Sequence, residues 1–375
     1  MLLAALAAAG CRTAPEPPDY DAQLPPGQYA LRKLTDPLQI PDLTDACVDT
    51  RGLAVAVKRS LNYLGKPSSK THFPCGTVTH ADAVASLKAF SEMLNSGLTP
   101  AELNAVIRAR FDIYVSVGCD GRGTVLFTGY YTPIFNASLK RTAEFIHPLY
   151  KMPPGLTKLP DGRPARAMPD RRTIESGDLY QGNELAWLAD PFEAYVCHVQ
   201  GSSRLKLPDG RQVTVGYAAN NGHPYRSVRA ELVKDGKIGQ RAGLPTMINY
   251  FRAHPEAVKK YTWRNPRYVF FDLIADGSPR GSLNEPVTPM RTIATDKRIF
   301  PRACLTFIST KLPFVFRGRI VDLPYHGFAL DQDAGGAIRA PGRCDVYIGL
   351  GQQAGELAGR AQNEGRLYYL LLKEK

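Results

Sequence analysis

The sequence lacks the features that mark several common classes of protein. Its seven histidines show no HExxH or similar metal-binding spacing, its seven cysteines form no CxxC pair, and no GxSxG segment is present. These absences argue against a zinc enzyme, a zinc ribbon or thioredoxin-like protein, and a hydrolase with a nucleophile elbow. Cys197 and His198 are adjacent on a predicted strand, where neighbouring side chains point to opposite faces, so we expect no Cys–His nucleophile. We expect neither a metal site nor a cofactor.

Long hydrophobic runs are also missing. The apolar run at the N-terminus, Met1–Ala9, is too short to cross a bilayer as a helix. A G-x-G-x-x-A match at Gly349–Ala354 is followed by only 21 residues, which cannot supply the βαβ unit that a dinucleotide site requires. We expect these glycines to form a tight turn between a strand and a helix.

Basic residues outnumber acidic ones, 47 to 35, and the net charge is +12. Such a balance suits a polyanionic partner. Because the basic residues are spread along the chain and no nucleic-acid-binding signature occurs, we expect no nucleic-acid partner. An acidic polymer, such as a cell wall with carboxylate-bearing peptides, and a basic protein without a charged ligand both fit this composition.

The N-terminus resembles the signal of a bacterial lipoprotein. The apolar run ends in Ala8-Ala9-Gly10-Cys11, in which Cys11 would be lipidated and become the new N-terminus. Residues 1–11 would then be a signal, and residues 12–45, rich in Pro and Asp, a tether and entry segment. Arg12 after the cysteine favours an outer-membrane lipoprotein that faces the periplasm of a Gram-negative bacterium. A basic n-region is missing, so a lone cysteine in an irregular N-terminus is the alternative.

The hydrophobic pattern predicts helices first and mostly strands afterwards. The predicted helices are Leu53–Leu64, a segment from about Asp82 to Gly97, a segment from Pro100 with Thr99 as N-cap and Glu102 completing a capping box, Pro245–His254 and Gln352–Asn363. The predicted strands are Thr124–Thr128, Ala194–Val199, Gln212–Tyr217, Tyr268–Phe271, Leu305–Ile308, Phe314–Val321 and Asp345–Ile348. So many strands with few helices between them favour a mainly β fold with closed or sandwiched sheets over a doubly wound sheet.

Two tyrosines next to glycine and proline are candidates for binding sugar rings. Tyr130 and Tyr131 stand side by side at the end of a predicted strand. Their faces could stack on a pyranose and their hydroxyls could bond to its rim. Buried strand tyrosines are the alternative interpretation.

Two polar turns are candidates for binding hydroxyl or amide groups. Gln200 and Ser202 follow a predicted strand in the segment Gln-Gly-Ser-Ser. Asn220 and Gly222 belong to an Asn-Gly turn signal, for which a plain hairpin is the alternative.

Three aspartates near the C-terminus are candidates for glycosidic acid/base chemistry. Asp333 and Asp345 bracket a glycine pair in an apolar, strand-like context, and Asp296 is a third candidate. A carboxylate is costly to bury without partners, so this pattern points to an acid/base site. Common glycoside hydrolases need two carboxylates that flank the bond. A structural ion pair of Asp333 with Arg339 or Arg343 is the alternative.

Seven segments between about residues 120 and 370 form an ordered set. They are FTGYYTP (127–133), HPLYKMP (147–153), ELAWLADPFEAYVCHVQGSSRL (184–205), VGYAANNGHPYRSV (215–228), NPRYVFF (265–271), VTPMRTIATDKRIFP (287–301) and DQDAGGAIRAPGRCDVYIGLGQQAGELAG (331–359). In this order the set resembles the membrane-bound lytic murein transglycosylases of the MltA type.

The resemblance implies a fold and a reaction. A double-ψ β-barrel would be built from residues 46–133 and 273–375, and a smaller β-domain, residues 134–272, would be inserted so that a glycan groove lies between the two. The implied enzyme cleaves the β-1,4 bond between N-acetylmuramic acid and N-acetylglucosamine without hydrolysis and leaves a 1,6-anhydromuramoyl end. Peptidoglycan strands are the implied partner, with the membrane through a lipid anchor and the wall-synthesis machinery as further candidates.

The resemblance also assigns roles to the three aspartates. Asp345 matches the catalytic acid/base, and Asp333 and Asp296 match supporting aspartates. Because the acid must be protonated when it acts, we expect the groove to raise the pKa of Asp345. Ala340 and Ser203 depart from the family pattern, as does Val228-Arg229, which leaves substrate preference open. A catalytically idle peptidoglycan-binding scaffold and a two-carboxylate hydrolase are the alternatives.

Overall fold

Two β-sheets of different design organise the molecule. The computed structural model describes residues 18–159, 164–166, 168–240 and 242–374. Within these residues the strands are β1 (Leu31–Lys33), β2 (Phe111–Ser116), β3 (Val125–Thr132), β4 (Ile134–Ser138), β5 (His147–Tyr150), β6 (Glu184–Leu188), β7 (Ser202–Lys206), β8 (Gln212–Asn220), β9 (Val269–Ile274), β10 (Thr292–Ala294), β11 (Leu305–Phe316), β12 (Arg319–Asp333), β13 (Arg343–Leu350) and β14 (Gln362–Leu372).

The α-helices of the same part of the chain are α1 (Thr44–Val48), α2 (Leu53–Leu64), α3 (His80–Leu94), α4 (Pro100–Arg110), α5 (Arg171–Ser176), α6 (Pro191–Gln200), α7 (Val228–Lys234), α8 (Leu244–Ala253), α9 (Ala257–Thr262) and α10 (Gly351–Arg360). Helix α4 begins as predicted, because the Glu102 N–H donates to the Thr99 hydroxyl and the Thr99 N–H donates to the Glu102 carboxylate. The other predicted helices are also present, with shifts of a few residues at their ends.

Six strands close into a barrel because β14 has partners on both sides. Their order is β3-β13-β10-β12-β11-β14, and the first part of β14 returns to pair with β3. The β10–β12 and β13–β3 pairs are parallel, and the other four are antiparallel. The barrel interior and helices α1–α4 share one apolar core, which contains Phe90, Phe127 and Phe328. Strand β10 lies between β12, to which it is parallel, and β13, to which it is antiparallel, and this arrangement positions the site described below.

The second sheet is built from the segment between β3 and β10. Its strand order is β5-β6-β4-β7-β8-β9, and helices α6–α9 pack on it around a separate core that contains Phe192, Phe251 and Phe271. The expected mainly β fold, with a barrel and an inserted sheet, is therefore confirmed. The domain limits at residues 133/134 and 272/273 stay a prediction, since strand β9 continues to Ile274.

The strand predicted over Ala194–Val199 was wrong, because this segment is part of helix α6. The Asp190 carboxylate accepts hydrogen bonds from the Phe192 and Glu193 N–H groups, at 2.6 and 3.1 Å, and Pro191 occupies the first turn. This N-cap outweighs the β-propensity of the aromatic and β-branched residues that follow. The overlooked signal of a helix start was Asp190-Pro191 followed by the acidic residue Glu193 in the first turn.

Two further element boundaries differ from the prediction. Phe314–Val321 is not one strand but the tip of a long hairpin, and Arg317 and Gly318 turn the chain with φ angles of 50° and 74°. The C-terminal helix ends at Arg360 rather than near Asn363, because the chain enters β14 at Gln362. Gly318 tolerates the left-handed backbone that this turn requires. The alternating apolar residues around it are typical of a continuous strand, and so the turn was missed.

The described part of the predicted tether lies against the barrel. The Tyr20 hydroxyl donates to Glu364 at 2.5 Å, Asp21 pairs with Arg343 at 2.9 Å, and Leu31–Lys33 adds an antiparallel strand beside β2. The proposed signal and Cys11 lie outside the described residues. Among the helices that are described, none combines the length and the apolar composition needed to cross a membrane.

Candidate active site

Asp345 lies in the middle of β13, between two other barrel strands. It stands opposite Ala294 of β10 on one side and Thr128 of β3 on the other. Its Oδ1 is buried and has no hydrogen-bond partner among the described residues. Burial raises the pKa of Asp345 to about 6, opposed by the Thr128 hydroxyl and Arg343 and assisted by the charge of Asp333. The expected direction of this pKa shift is confirmed, and burial is its main cause.

Asp333 reaches the same place from the end of β12. It stands opposite Ala294 on the other edge of β10, so the two aspartates flank one residue. Neighbouring strands lie about 4.8 Å apart, which separates the two backbones by roughly 10 Å. A bulge in the β10–β12 register between Ile293 and Ala294 brings Asp333 into this position.

The two carboxyl groups differ in their partners. Asp333 accepts hydrogen bonds from the Tyr130 hydroxyl and from the N–H groups of Ser282 and Ala334, each at 2.7 Å. Burial raises the pKa of Asp333, and these donors oppose the rise. A carboxylate with three donors has little capacity left to accept a proton from substrate. These surroundings favour Asp345 as the candidate acid/base and Asp333 as a fixed partner.

Asp296 lies after β10 in an ion pair. Its carboxylate accepts from the Arg298 backbone N–H and guanidinium, with the shortest contact at 2.5 Å, and it is almost fully buried. The Arg298 guanidinium also donates to the Arg339 carbonyl at 3.0 Å. Asp296 thus supports the loop between the two other aspartates through Arg298.

Sequence reasoning overlooked a fourth aspartate, Asp331. Its buried carboxylate forms an ion pair with Lys297 and accepts from the hydroxyls of Thr295 and Tyr369, each at 2.7 Å. Burial lowers the pKa of Lys297, and Asp331 opposes that shift. Alternation along β12 places Asp331 two residues before Asp333, which could have indicated a second inward carboxylate.

The tyrosine pair has divided roles. Tyr130 holds Asp333 and packs against Tyr347, with ring centroids 5.2 Å apart. Tyr131 is largely buried, and its backbone N–H donates to the Gln200 side chain at 3.2 Å. Tyr130 therefore contacts the aspartate site directly, whereas Tyr131 connects the barrel to the inserted sheet.

The polar residues predicted in the inserted domain reach the site through short connections. Ser202 donates to the Arg280 carbonyl at 3.3 Å, and the following Gly281 runs so close to Asp333 that an added Cβ would lie 3.0 Å from its carboxyl carbon. The sequence did not indicate the Ser202–Arg280 contact, and only the glycine at position 281 hinted at the close approach to Asp333. Ser202 is thereby linked to the backbone that holds Asp333.

Asn220 and Gly222 form a local turn at the end of β8. The Asn220 side chain donates to the Tyr217 hydroxyl at 2.5 Å and accepts from the Gly222 N–H at 2.8 Å. The loop continues to Tyr225, which lies against Gly336 of the loop after Asp333. The plain hairpin alternative was wrong, since the next strand in the sheet, β9, begins only at Val269.

Cys197 and His198 do not form a nucleophilic pair, although the strand-based reason for that prediction was wrong. Burial raises the pKa of Cys197 to about 12, so its thiolate is disfavoured. His198 accepts from the Val269 N–H at 3.3 Å and packs against Tyr268. Both residues belong to the core of the inserted domain.

Comparison with known families and proteins agrees with this geometry. A model of the MltA-specific insert domain matches residues 126–272, and a model of the 3D domain matches residues 291–371. Membrane-bound lytic murein transglycosylase A of Escherichia coli K12 is 27% identical over 350 residues, which cover 92% of this chain and 88% of that protein. A homolog of that protein from Buchnera aphidicola is 29% identical over 274 residues, 72% of each chain.

Solved structures share the fold over nearly the whole chain. A membrane-bound lytic murein transglycosylase from Agrobacterium tumefaciens superposes with a TM-score of 0.76 at 26% identity, covering 92% of this chain and 98% of that one. E. coli MltA with bound chitohexaose has the same fold, with a TM-score of 0.71 at 24% identity and coverage of 96% and 100%. Barrel, inserted sheet and ordered motifs all agree: the chain belongs to the MltA family.

Proposed function

We propose that this protein is a peptidoglycan lytic transglycosylase that uses Asp345 as its single acid/base. It cleaves the β-1,4 bond between N-acetylmuramic acid and N-acetylglucosamine and leaves 1,6-anhydromuramoyl ends. One observation carries the assignment of the acid: Asp345, with a raised pKa and a buried oxygen that has no hydrogen-bond partner among the described residues, stands across β10 from Asp333, which accepts three hydrogen bonds.

In the proposed reaction a single residue first donates a proton and then accepts one. Protonated Asp345 donates its proton to the glycosidic oxygen as the bond from this oxygen to C1 of the muramoyl residue breaks. The resulting carboxylate then accepts the proton of the C6 hydroxyl, whose oxygen forms the new bond to C1. No water is consumed, and the intramolecular hydroxyl has a high effective concentration.

The surrounding residues prepare Asp345 for both halves of this cycle. Burial raises the pKa of Asp345 to about 6, which increases the protonated fraction of the acid before substrate is bound, and the nearby Asp333 charge also favours the proton. Tyr130 fixes Asp333, which in turn lies against the Gly281–Ser282 backbone. Asp333 and Asp296 act as positioning residues, and Tyr130, Tyr131, Gln200, Ser202, Asn220 and Gly222 border the proposed glycan groove between barrel and inserted sheet.

A two-carboxylate hydrolase is the second candidate, because Asp333 and Asp345 flank Ala294. A hydrolase requires the second carboxylate to attack the sugar or to activate water. The three donors that occupy the Asp333 oxygens disfavour both roles. Hydrolysis would yield reducing-end sugars, whereas the transglycosylase yields ring-closed ends.

Mass analysis of soluble products from purified sacculi tests this function. Wild-type protein should release fragments one water lighter than hydrolysis products, and Asp345→Asn should lower release by roughly 10²–10⁴-fold while sacculus binding persists. Asp322→Asn, the same chemical change at an exposed position of β12, is the matched control. Ring-closed fragments at the parental rate from Asp345→Asn would refute Asp345 as the acid, and wild-type protein that binds sacculi without cutting them would be an idle scaffold.

The location is a separate part of the proposal. The relatives are named membrane-bound, and Cys11 follows a lipobox-like sequence, so we propose a lipid-anchored outer-membrane protein that faces the periplasm and works beside the wall-synthesis machinery. Expression of the gene product with Cys11→Ala should move the protein from the outer-membrane fraction to the soluble periplasmic fraction. An unchanged distribution would show that Cys11 is not the anchor.

A further inference from the structure

Two arginines lie close to Gly336, where the loop after Asp333 approaches the inserted domain. The Arg339 side chain donates to the Gly336 carbonyl at 3.4 Å, and an added Cβ on Gly336 would lie 3.7 Å from the Arg267 Nε. Gly336 is three residues beyond Asp333, and Arg267 donates to the carbonyl of His223, the residue after Gly222, at 3.3 Å. The pair therefore borders the proposed groove on both of its sides.

Neither guanidinium has an acidic partner in the part of the chain that the structure describes. No ion pair there includes either residue, although Arg298, Arg343 and Arg280 each pair with an aspartate. Burial lowers the pKa of Arg267, and the positive charge of Arg339 lowers it further. Arg267 is half-buried, whereas Arg339 is exposed. A second positive charge near a partly desolvated guanidinium is unfavourable unless an anion offsets it.

The backbone around each arginine is held in place. The Arg267 carbonyl accepts from the buried Arg171 at 2.7 Å, and the Arg339 carbonyl accepts from Arg298 at 3.0 Å. Both anchors lie on the main chain, so each guanidinium keeps most of its donors for a ligand. Such an arrangement is preorganised for a planar anion, which a guanidinium fork binds through paired hydrogen bonds.

We infer that Arg267 and Arg339 bind a carboxylate carried by the glycan substrate on the muramoyl O3 substituent. This inference rests on the proposed function and extends it to substrate selection. Two sources offer the same chemistry: the lactyl carboxylate of a bare strand and the carboxylates of a peptide stem. The sugar hydroxyls of a neutral glycan do not require two adjacent cations, so the pair selects muramoyl strands over neutral N-acetylglucosamine polymers.

Binding measurements on three ligands test the inference. The protein carries Asp345→Asn so that no ligand is consumed, and the ligands are chitohexaose, bare glycan strands and peptide-bearing strands of similar length. We expect Arg267→Gln and Arg339→Gln each to raise the Kd for carboxylate-bearing strands by about tenfold and to leave the Kd for chitohexaose unchanged. Added salt should reduce the difference between wild type and variant. Arg319→Gln, at an exposed position of the β11–β12 turn, is the control.

The outcomes separate the sources and the alternatives. A loss confined to peptide-bearing strands identifies the stem carboxylates, and a loss confined to bare strands identifies the lactyl group. Equal loss for chitohexaose would show that the arginines only hold the loops together, and no loss for any charged strand would also overturn the inference. Because turnover is absent in every arm, these results stand whether or not wild-type protein releases anhydro products.

Discussion

Two buried aspartates of the same barrel, Asp331 and Asp345, have opposite surroundings. Asp331 has a cation and two hydroxyl donors on its carboxylate, whereas Asp345 has a buried oxygen with no partner among the described residues. The first arrangement stabilises a charge inside the barrel, and the second disfavours a charge and so raises the pKa of the carboxyl group. The comparison shows that burial alone does not identify an acid/base. The groups that surround the carboxylate must be considered as well.

The comparison extends to the neighbours of each group. Lys297 is buried with Asp331 and depends on it, since burial alone lowers the pKa of the ammonium group. The cation that acts on Asp345 is Arg343, and that guanidinium is already paired with Asp21 at 2.9 Å. A structural carboxylate therefore has a dedicated cation, while the proposed catalytic one shares a cation that already has a partner.

The largest expected effect comes from exchanging each aspartate for asparagine. Asp331→Asn should lower the free energy of unfolding by about 3–5 kcal/mol, because it leaves the buried Lys297 without a counter-charge. Asp345→Asn should cause no loss at pH 7, because it removes a carboxylate that burial disfavours. Urea unfolding at pH 7 measures both. Equal losses for the two variants would contradict the comparison.

A pH titration sharpens the same contrast. The pKa of Asp345 rises from 3.8 in the unfolded chain to about 6 in the folded one, so the folded state binds more protons between these values. The free energy of unfolding should therefore fall as pH rises from about 4 to about 6, by about 3 kcal/mol in total from this group. The difference between wild type and Asp345→Asn, measured by unfolding across this range, isolates the contribution.

Activity should follow the same ionisation. Release of anhydro products should decline as pH rises through about 6, because the substrate-free acid loses its proton there. A wild-type stability curve parallel to that of Asp345→Asn across pH 4–6 would refute the raised pKa.

The smallest expected effect concerns Arg343, the cation that Asp21 and Asp345 share. Asp21→Asn would leave the Arg343 charge uncompensated, and the freed positive charge should lower the pKa of Asp345. Because Asp21 is 65% exposed, we expect the high-pH decline of activity to move down by only a few tenths of a pH unit. Asp209→Asn, which removes the exposed ion pair of Asp209 with Arg211, should leave the decline in place. An upward shift for Asp21→Asn would contradict the electrostatic argument.

Local signals in the sequence predicted more than long-range ones. The Thr99 capping box and the Asp333 and Asp345 motif depend on neighbouring residues, and both were identified from the sequence. Helix α6 was missed because its N-cap at Asp190 was weighed less than the strand-forming residues after it. The Asp190 side chain accepts hydrogen bonds from backbone N–H groups of the first helical turn, and residue-by-residue strand propensities do not include this stabilisation.

The relation between the two aspartates could not be predicted from their spacing. It depends on Ala294, which precedes Asp333 by 39 residues and Asp345 by 51 and lies between them because β10 is parallel to β12 and antiparallel to β13. The Asp331–Lys297 pair likewise depends on strands that meet only in the closed barrel. Such contacts follow from topology, which no short segment encodes.

Barrel closure by β14 has a consequence for synthesis. Strand β3 ends at Thr132, yet its partners begin only at Arg343 and Gln362, after the inserted sheet has acquired a complete core of its own. During translation the inserted sheet can mature early, while β3 must wait for the end of the chain. The proposed acid/base, Asp345, would reach its buried position only after the C-terminal strand has closed the barrel, so we expect copies that lack this strand to be inactive.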